Sequence, residues 1–308
     1  MGIKNFYNFV KKFAGTSIEE IDISHMYGKT IGIDFNLMIY KLIMSIRAIG
    51  YDIRNGNIIT THIHSLLLKL TFFKKHNINA IFVFDGKAPI IKNNTLKERK
   101  KTREKMQQKY EKATTVDEKK RYYYLKKDIS ERELNDCKML IKIFGFPVIN
   151  APQEADAQLA YMSETGGIDY IISDDADILL FGGNNIVKNF TINIKKKMPC
   201  IHLDILKNEL EINQKSLIKL GIMLGSDYCG NPHISIGRAF KIIKGIEMYH
   251  DVDRECKDAI KYFCQPLVNT EYKKMVRFYD INENALVDYL YNFDYSDAQI
   301  DKIIDKLN

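Results

Sequence analysis

Short runs of apolar, β-prone residues alternate along this chain with longer stretches whose apolar positions recur at helical spacing. The runs Lys29-Thr30-Ile31-Gly32-Ile33, Ala80-Ile81-Phe82-Val83-Phe84 and Tyr170-Ile171-Ile172-Ser173 predict strands. Their alternation with helical patterns predicts an α/β fold with a mainly parallel sheet. Between residues 97 and 127 the pattern breaks into a stretch dense in Lys, Arg, Glu and Tyr with few aliphatics, which cannot form a buried crossover helix. From Gln214 onward no strand pattern follows, so the last third is expected to be helical. There is no internal repeat and no low-complexity tail.

With 308 residues and 45% hydrophobic content, the chain can bury a large core, and its length fits one elaborated domain or two small ones. A net charge of +7 and a pI near 8.9 favour an anionic partner, as a modest signal on a chain this long. The five cysteines, Cys137, Cys200, Cys229, Cys256 and Cys264, form no CxxC pair and leave an odd one over. Neither a zinc ribbon nor a disulfide framework is therefore expected, and a reducing intracellular compartment is the simplest reading. No apolar run reaches transmembrane length and the first residues lack the apolar core of a secretory signal. Phe6 stands where N-myristoylation of Gly2 needs Ser or Thr. The expectation is a soluble chain with no membrane partner. Its Ile-, Lys- and Asn-rich, tryptophan-free composition suits an AT-rich genome such as that of a large DNA virus.

Each of the three strand candidates runs directly into acid: Ile33 into Asp34, Phe84 into Asp85, and Ser173 into Asp174-Asp175-Ala176-Asp177. The carboxyl ends of parallel strands share one edge, where ligands bind, so three strands deliver carboxylates to one place. A lone Asp after a strand is more often a helix cap or turn residue, and only the coincidence of three weakens that reading. In Ala151-Pro152-Gln153-Glu154-Ala155-Asp156-Ala157-Gln158, Pro152 marks a helix start followed by two acids. Residues two apart diverge by about 200° in a regular helix, so Glu154 and Asp156 can share a site only in a first turn that is not yet regular. Their alternative role is to complement the helix dipole. Leu224-Gly225-Ser226-Asp227-Tyr228 adds a fifth, weaker contribution. Together these motifs supply Asp34, Asp85, Glu154, Asp156, Asp175, Asp177 and Asp227, without histidine or cysteine. Such a cluster repels itself unless cations neutralise it, and all-oxygen ligation suits Mg²⁺ or Mn²⁺. Two such ions about 4 Å apart serve in-line phosphoryl displacement, so phosphodiester hydrolysis is the implied reaction.

In order along nearly the whole chain, Met1-Gly2-Ile3-Lys4, Gly32-Ile33-Asp34, Val83-Phe84-Asp85-Gly86-Lys87, the segment 151–158, Ser173 to Gly182 and Leu224 to Tyr228 resemble the conserved blocks of the flap endonuclease and XPG superfamily of 5′ nucleases. The resemblance implies a PIN-like α/β nuclease core with a helical arch insertion, a C-terminal helix-two-turn-helix-like DNA-binding element, and two Mg²⁺ or Mn²⁺ ions. It divides a single nuclease domain into an N-terminal block 1–86, an arch 87–130, an internal block 131–228 and a C-terminal helical region 229–308. It assigns Asp34, Asp85, Glu154 and Asp156 to the more buried ion, and Asp175, Asp177 and Asp227 to the second. Asp156 departs from the usual Glu. Lys92 and Arg99 correspond to catalytic basic residues of the arch, with Arg103 beside them. Gly2, Tyr40, Lys92, Arg99, Arg103, Ser235, Gly237, Arg238, Lys241 and Lys244 correspond to DNA contacts. Tyr40 would stack on a base; the plain alternative is a core tyrosine. Most lysines of the arch are read as a solvated charged face.

The clearest departure is His233-Ile234-Ser235-Ile236-Gly237, where His233 and Ser235 replace glycines that let backbone approach a phosphate and a K⁺ ion. Little specific preference for K⁺ is expected there, with the duplex gripped mainly by side chains. The implied function is cleavage of 5′ flaps or single/double-strand junctions in DNA replication, repair or recombination by a monomer without the usual sliding-clamp motif. Alternatives are a four-way junction resolvase, a 5′ exonuclease, or an inactive nucleic-acid-binding scaffold.

Overall fold

The computed structural model describes residues 3, 5–125, 128–229, 234–248 and 256–307, without the side chains of 93–100 and 103. Nine strands are present among them: β1 (Ile18–Ile21), β2 (Thr30–Asp34), β3 (Arg54–Asn55), β4 (Ile58–Ile59), β5 (Asn79–Phe84), β6 (Val148–Asn150), β7 (Tyr170–Ile172), β8 (Ile186–Val187) and β9 (Met198–Ile201). Seven build one sheet in the order β1-β9-β8-β7-β2-β5-β6, and β3 and β4 pair as a separate hairpin. The five strands from β8 to β6 run parallel, and β9 and β1 add an antiparallel edge. The three predicted strands are the central ones, β7, β2 and β5. After β2 the chain builds β5 and β6 on one side and then crosses to β7 on the other. The strand order therefore reverses at β2, and the carboxyl ends of the strands beside such a point are where open α/β sheets bind ligands.

Alternation along the strands supplies both faces of the core. On β5, Ile81 and Val83 enter one apolar cluster with Ile149, Leu159 and Ile171, whereas Ala80, Phe82 and Phe84 enter the other with Ile31, Ile33 and Phe35. Gly32 is glycine because the helix Ala155–Glu164 presses on β2: a Cβ there would stand 2.6 Å from side-chain carbons of Ile168 and Leu159. Beyond β9 only helices occur among the described residues, as predicted. Charged helices Asn93–Lys112 and Val116–Leu125 occupy the stretch predicted to stay out of the core. Helices Gln214–Gly225, Ile236–Ile243 and Lys257–Cys264 pack together, and Phe240 stacks on Phe13 of the N-terminal helix at 4.1 Å.

The structure corrects the reading of the cysteines. Cys229 and Cys256 form a disulfide, their Cα atoms 5.7 Å apart, while Cys137, Cys200 and Cys264 are free. The partners lie 27 residues apart on either side of the helix Ile236–Ile243, so no local spacing announces the pair. Closing a loop of that size removes denatured-state entropy worth about 3.5 kcal/mol. Cys229→Ser is accordingly expected to lower unfolding stability by about that amount in non-reducing buffer, and not in strong reductant, as read by urea titration.

Candidate active site

Asp34 ends β2 and caps the helix Phe35–Arg47, its Oδ1 accepting the Leu37 N–H at 3.2 Å and its Oδ2 the Ser173 hydroxyl at 3.0 Å. Asp85 directly follows β5, and its Oδ1 accepts the N–H of Ala155 at 2.9 Å. Both aspartates are thus cap or anchor residues as well as members of the carboxylate edge. Capping fixes where each carboxylate stands. Gly86 permits the approach: its N–H donates to Gln153 at 2.6 Å, and a Cβ would lie 2.1 Å from the Ala151 carbonyl oxygen. The loop bringing Glu154 is thereby pressed against the end of β5. Glu154 is the N-cap of the helix Ala155–Glu164, with extended backbone (φ −98°, ψ 138°), and Asp156 lies in the first turn. The two acids converge because Glu154 stands outside the regular helix. Asp177 opens the short helix Asp177–Leu180 and donates its N–H to Asp175 Oδ1 at 3.0 Å, while Asp175 donates its own N–H to Ser173 Oγ at 3.1 Å.

Electrostatics tie these positions into one cluster. Burial, then Asp85, pushes the Asp34 carboxyl up to about 7. Burial, then Asp175, holds Asp156 and Asp177 well above the ordinary carboxylate range, with Asp34 also acting on Asp156, and Asp227 and Glu154 on Asp177. Each of the seven predicted carboxylates is therefore linked to at least one other, in one connected set. Asp156 Oδ1 and both carboxylate oxygens of Asp177 are buried without a hydrogen-bond partner among the described residues. Orphaned anionic oxygens in an all-oxygen donor set fit a hard divalent cation. No three of these side chains, among the described residues, converge at coordination distance on one point; the ammonium of Lys92 faces Glu154, Asp177 and Asp156, and that of Lys188 is drawn by Asp175 and Asp156. Lys92 Nζ pairs with Glu154 Oε1 and sits 4.6 Å from the Tyr228 ring centroid. Burial works against its charge, but Glu154, Asp177 and Asp156 outweigh burial and hold its pKa above the ordinary lysine value.

These shifts set a pH dependence. A carboxyl raised in the folded state binds a proton that the unfolded chain has released, so the stabilisation from Asp34 is full below about pH 4 and is lost as pH rises through about 7, and Asp156 and Asp177 act in the same direction. The metal-free protein is expected to melt roughly 5 °C lower at about pH 8 than at about pH 5, with Asp34→Asn flattening the difference and Mg²⁺ restoring stability at the higher pH. Differential scanning fluorimetry with and without chelator reads all three effects.

Of the other predicted residues, Tyr40 is 36% exposed on the helix Phe35–Arg47, so it is not a core tyrosine. Ser235, Gly237 and Lys241 are exposed on or beside the helix Ile236–Ile243, Arg238 pairs with Glu247 at 2.6 Å and Lys244 with Glu211 at 2.7 Å. Gly2, His233 and the side chains of Arg99 and Arg103 lie outside the described residues. Sequence reasoning missed the hydroxyl groups of the site. Ser173 bridges β2 to β7, and Tyr228 and Tyr262 both donate to Glu154 Oε2, the latter at 3.3 Å. Ser173 and Tyr228 adjoin the acidic motifs and could have been found there; nothing in the local sequence marks Tyr262.

The XPG N-terminal domain matches residues 1–106 and the XPG I-region residues 145–227. The chain is 30% identical over 321 residues to flap endonuclease 1 of Pyrococcus horikoshii, covering 94% of this chain and 91% of that protein. To flap endonuclease 1 of Theileria annulata it is 28% identical over its full length but spans only 64% of that relative. Its fold is similar to that of the catalytic core of Rad2 in complex with DNA substrate, with a TM-score of 0.76 at 20% identity over 100% of both chains. The likeness fits an α/β, PIN-like core.

Proposed function

The chain belongs to the flap endonuclease and XPG family, and from that premise we propose that it is a divalent-metal-dependent, structure-selective 5′ nuclease acting on DNA at 5′ flaps or other single/double-strand junctions. One observation carries the reading: seven carboxylates from five separate segments form a single electrostatic cluster, with buried oxygens that lack partners among the described residues. Asp34, Asp85, Glu154 and Asp156 would hold one ion, and Asp175, Asp177 and Asp227 a second. Bound there, such a pair supplies neutralising charge for a scissile phosphate and lowers the pKa of an attacking water.

The protein's own residues do the positioning. Lys92, at the foot of the arch, offers a cation to the same space, able to leave Glu154 for the developing charge on a phosphate. Tyr40 offers an exposed ring for a base, on the helix that Asp34 caps. Arg238, Lys241 and Lys244 place positive charge on the helix Ile236–Ile243 and just beyond it for duplex phosphates. Their contacts with Glu247 and Glu211 are exposed and exchangeable, so DNA can compete for them. The test compares labelled 5′-flap, nicked and four-way DNA side by side in Mg²⁺. Fastest incision at the flap base supports the proposal. Preferential cutting of the four-way junction would make the protein a resolvase, and no metal-dependent incision of any substrate would overturn the reading.

A further inference from the structure

Glu154 is the carboxylate with the most freedom to miss its target. It stands at an N-cap, outside the hydrogen-bonded helix, on a side chain one methylene longer than those of the surrounding aspartates. Its two oxygens are nonetheless used differently. Oε1 pairs with Lys92, whereas Oε2 accepts two phenol hydroxyls, those of Tyr228 and Tyr262. The two rings stack on each other, with centroids 5.4 Å apart and planes at 29°, and Tyr262 also meets the Phe181 ring edge-on at 5.7 Å. Tyr262 comes from the helix Lys257–Cys264, a segment remote from every acidic motif, whose first residue follows the bridged Cys256.

We infer that Tyr262 is a positioning residue for the metal centre: with Tyr228 it pins Oε2 of Glu154 and so presents Oε1 to the divalent ion. The inference rests on the reading of Glu154 as a metal ligand. A carboxylate with one oxygen held by two donors binds an ion through the other without first losing the freedom of its side chain, and hydrogen-bonding partners of a ligand commonly set metal affinity. Lys92 and the ion then compete for the same oxygen, while the phenols hold the other throughout. Tyr262 touches no reacting atom, so its loss should act on metal affinity and leave the chemistry at saturating metal unchanged.

Tyr262→Phe removes only the hydroxyl and keeps the ring against Tyr228 and Phe181. Phe263→Leu disturbs the same helix through a ring that stands 4.7 Å from Tyr228 and has no hydroxyl to donate to Glu154, which makes it the packing control. Mn²⁺ affinity is measured by electron paramagnetic resonance on the full chain, alongside the Mg²⁺ dependence of flap cleavage. Tyr262→Phe is expected to weaken Mn²⁺ binding and to raise the half-saturating Mg²⁺ concentration roughly tenfold, with the rate at saturating Mg²⁺ within about twofold of the natural protein. Phe263→Leu should lower the melting temperature and leave Mn²⁺ affinity as it was. Equal Mn²⁺ affinity in the natural protein and Tyr262→Phe would overturn the inference alone, as would an equal loss in Phe263→Leu. No Mn²⁺ binding by the natural protein would overturn the metal reading and this inference with it.

Discussion

Asp177→Asn is expected to lower the single-turnover rate of flap cleavage at least about a thousandfold, equivalent to roughly 4 kcal/mol of transition-state stabilisation, while duplex binding changes little. Asp177 is fully buried, and neither of its carboxylate oxygens has a partner among the described residues. A group so placed costs free energy in the metal-free protein, since burial and Asp175 both oppose its charge. Asparagine matches its shape and carries no charge, so the substitution removes ion binding without opening a cavity. The same variant should therefore melt higher than the natural protein in chelator at neutral pH, and lose the stabilisation that Mg²⁺ gives. A higher chelator melting temperature with normal turnover would separate strain from catalysis and remove Asp177 from the metal centre.

Lys92→Ala should slow single-turnover cleavage about a hundredfold and weaken DNA binding by no more than about threefold. Duplex affinity is spread over many phosphate contacts, each screened by salt, so one lysine matters little to it. At the reacting phosphate, by contrast, a preplaced cation acts where charge develops and where water is excluded. Lys92 is also the cation that pairs with Glu154 and draws on Asp177 and Asp156, so removing it leaves these acids less compensated. Lys92→Ala is consequently expected to lower metal-free stability, the opposite sign from Asp177→Asn. Rate and affinity falling together would make Lys92 an ordinary backbone contact.

The carboxylates could be chosen from sequence because the parallel strands β2, β5 and β7 each spend their apolar residues on the core and end in acid, so position along the strand and position in the site coincide. Glu154 and Asp156 needed an irregular first turn, and Pro152 together with the extended backbone of Glu154 provides it. The two- to four-residue strands β3, β4, β6, β8, β9 and β1 escaped because so few residues show no period, and their pairing is decided by neighbours distant in the chain. The Cys229–Cys256 bridge and the contact of Tyr262 with Glu154 escaped for the same reason: each joins segments that only the packed helices bring together. Gly32 and Gly86 could be read as motif letters from sequence, but their cause, the approach of the helix Ala155–Glu164 and of the loop Ala151–Gln153, is visible only in three dimensions.

The measurement closest to the central claim is an anomalous-difference map from crystals of the natural protein soaked in Mn²⁺. Two peaks about 4 Å apart are predicted, one against Asp34, Asp85, Glu154 and Asp156 and the other against Asp175, Asp177 and Asp227, with Lys92 withdrawn from Glu154. Mn²⁺ bound elsewhere on the chain, with the carboxylates still facing Lys92 and no peak among them at saturating metal, would contradict the account.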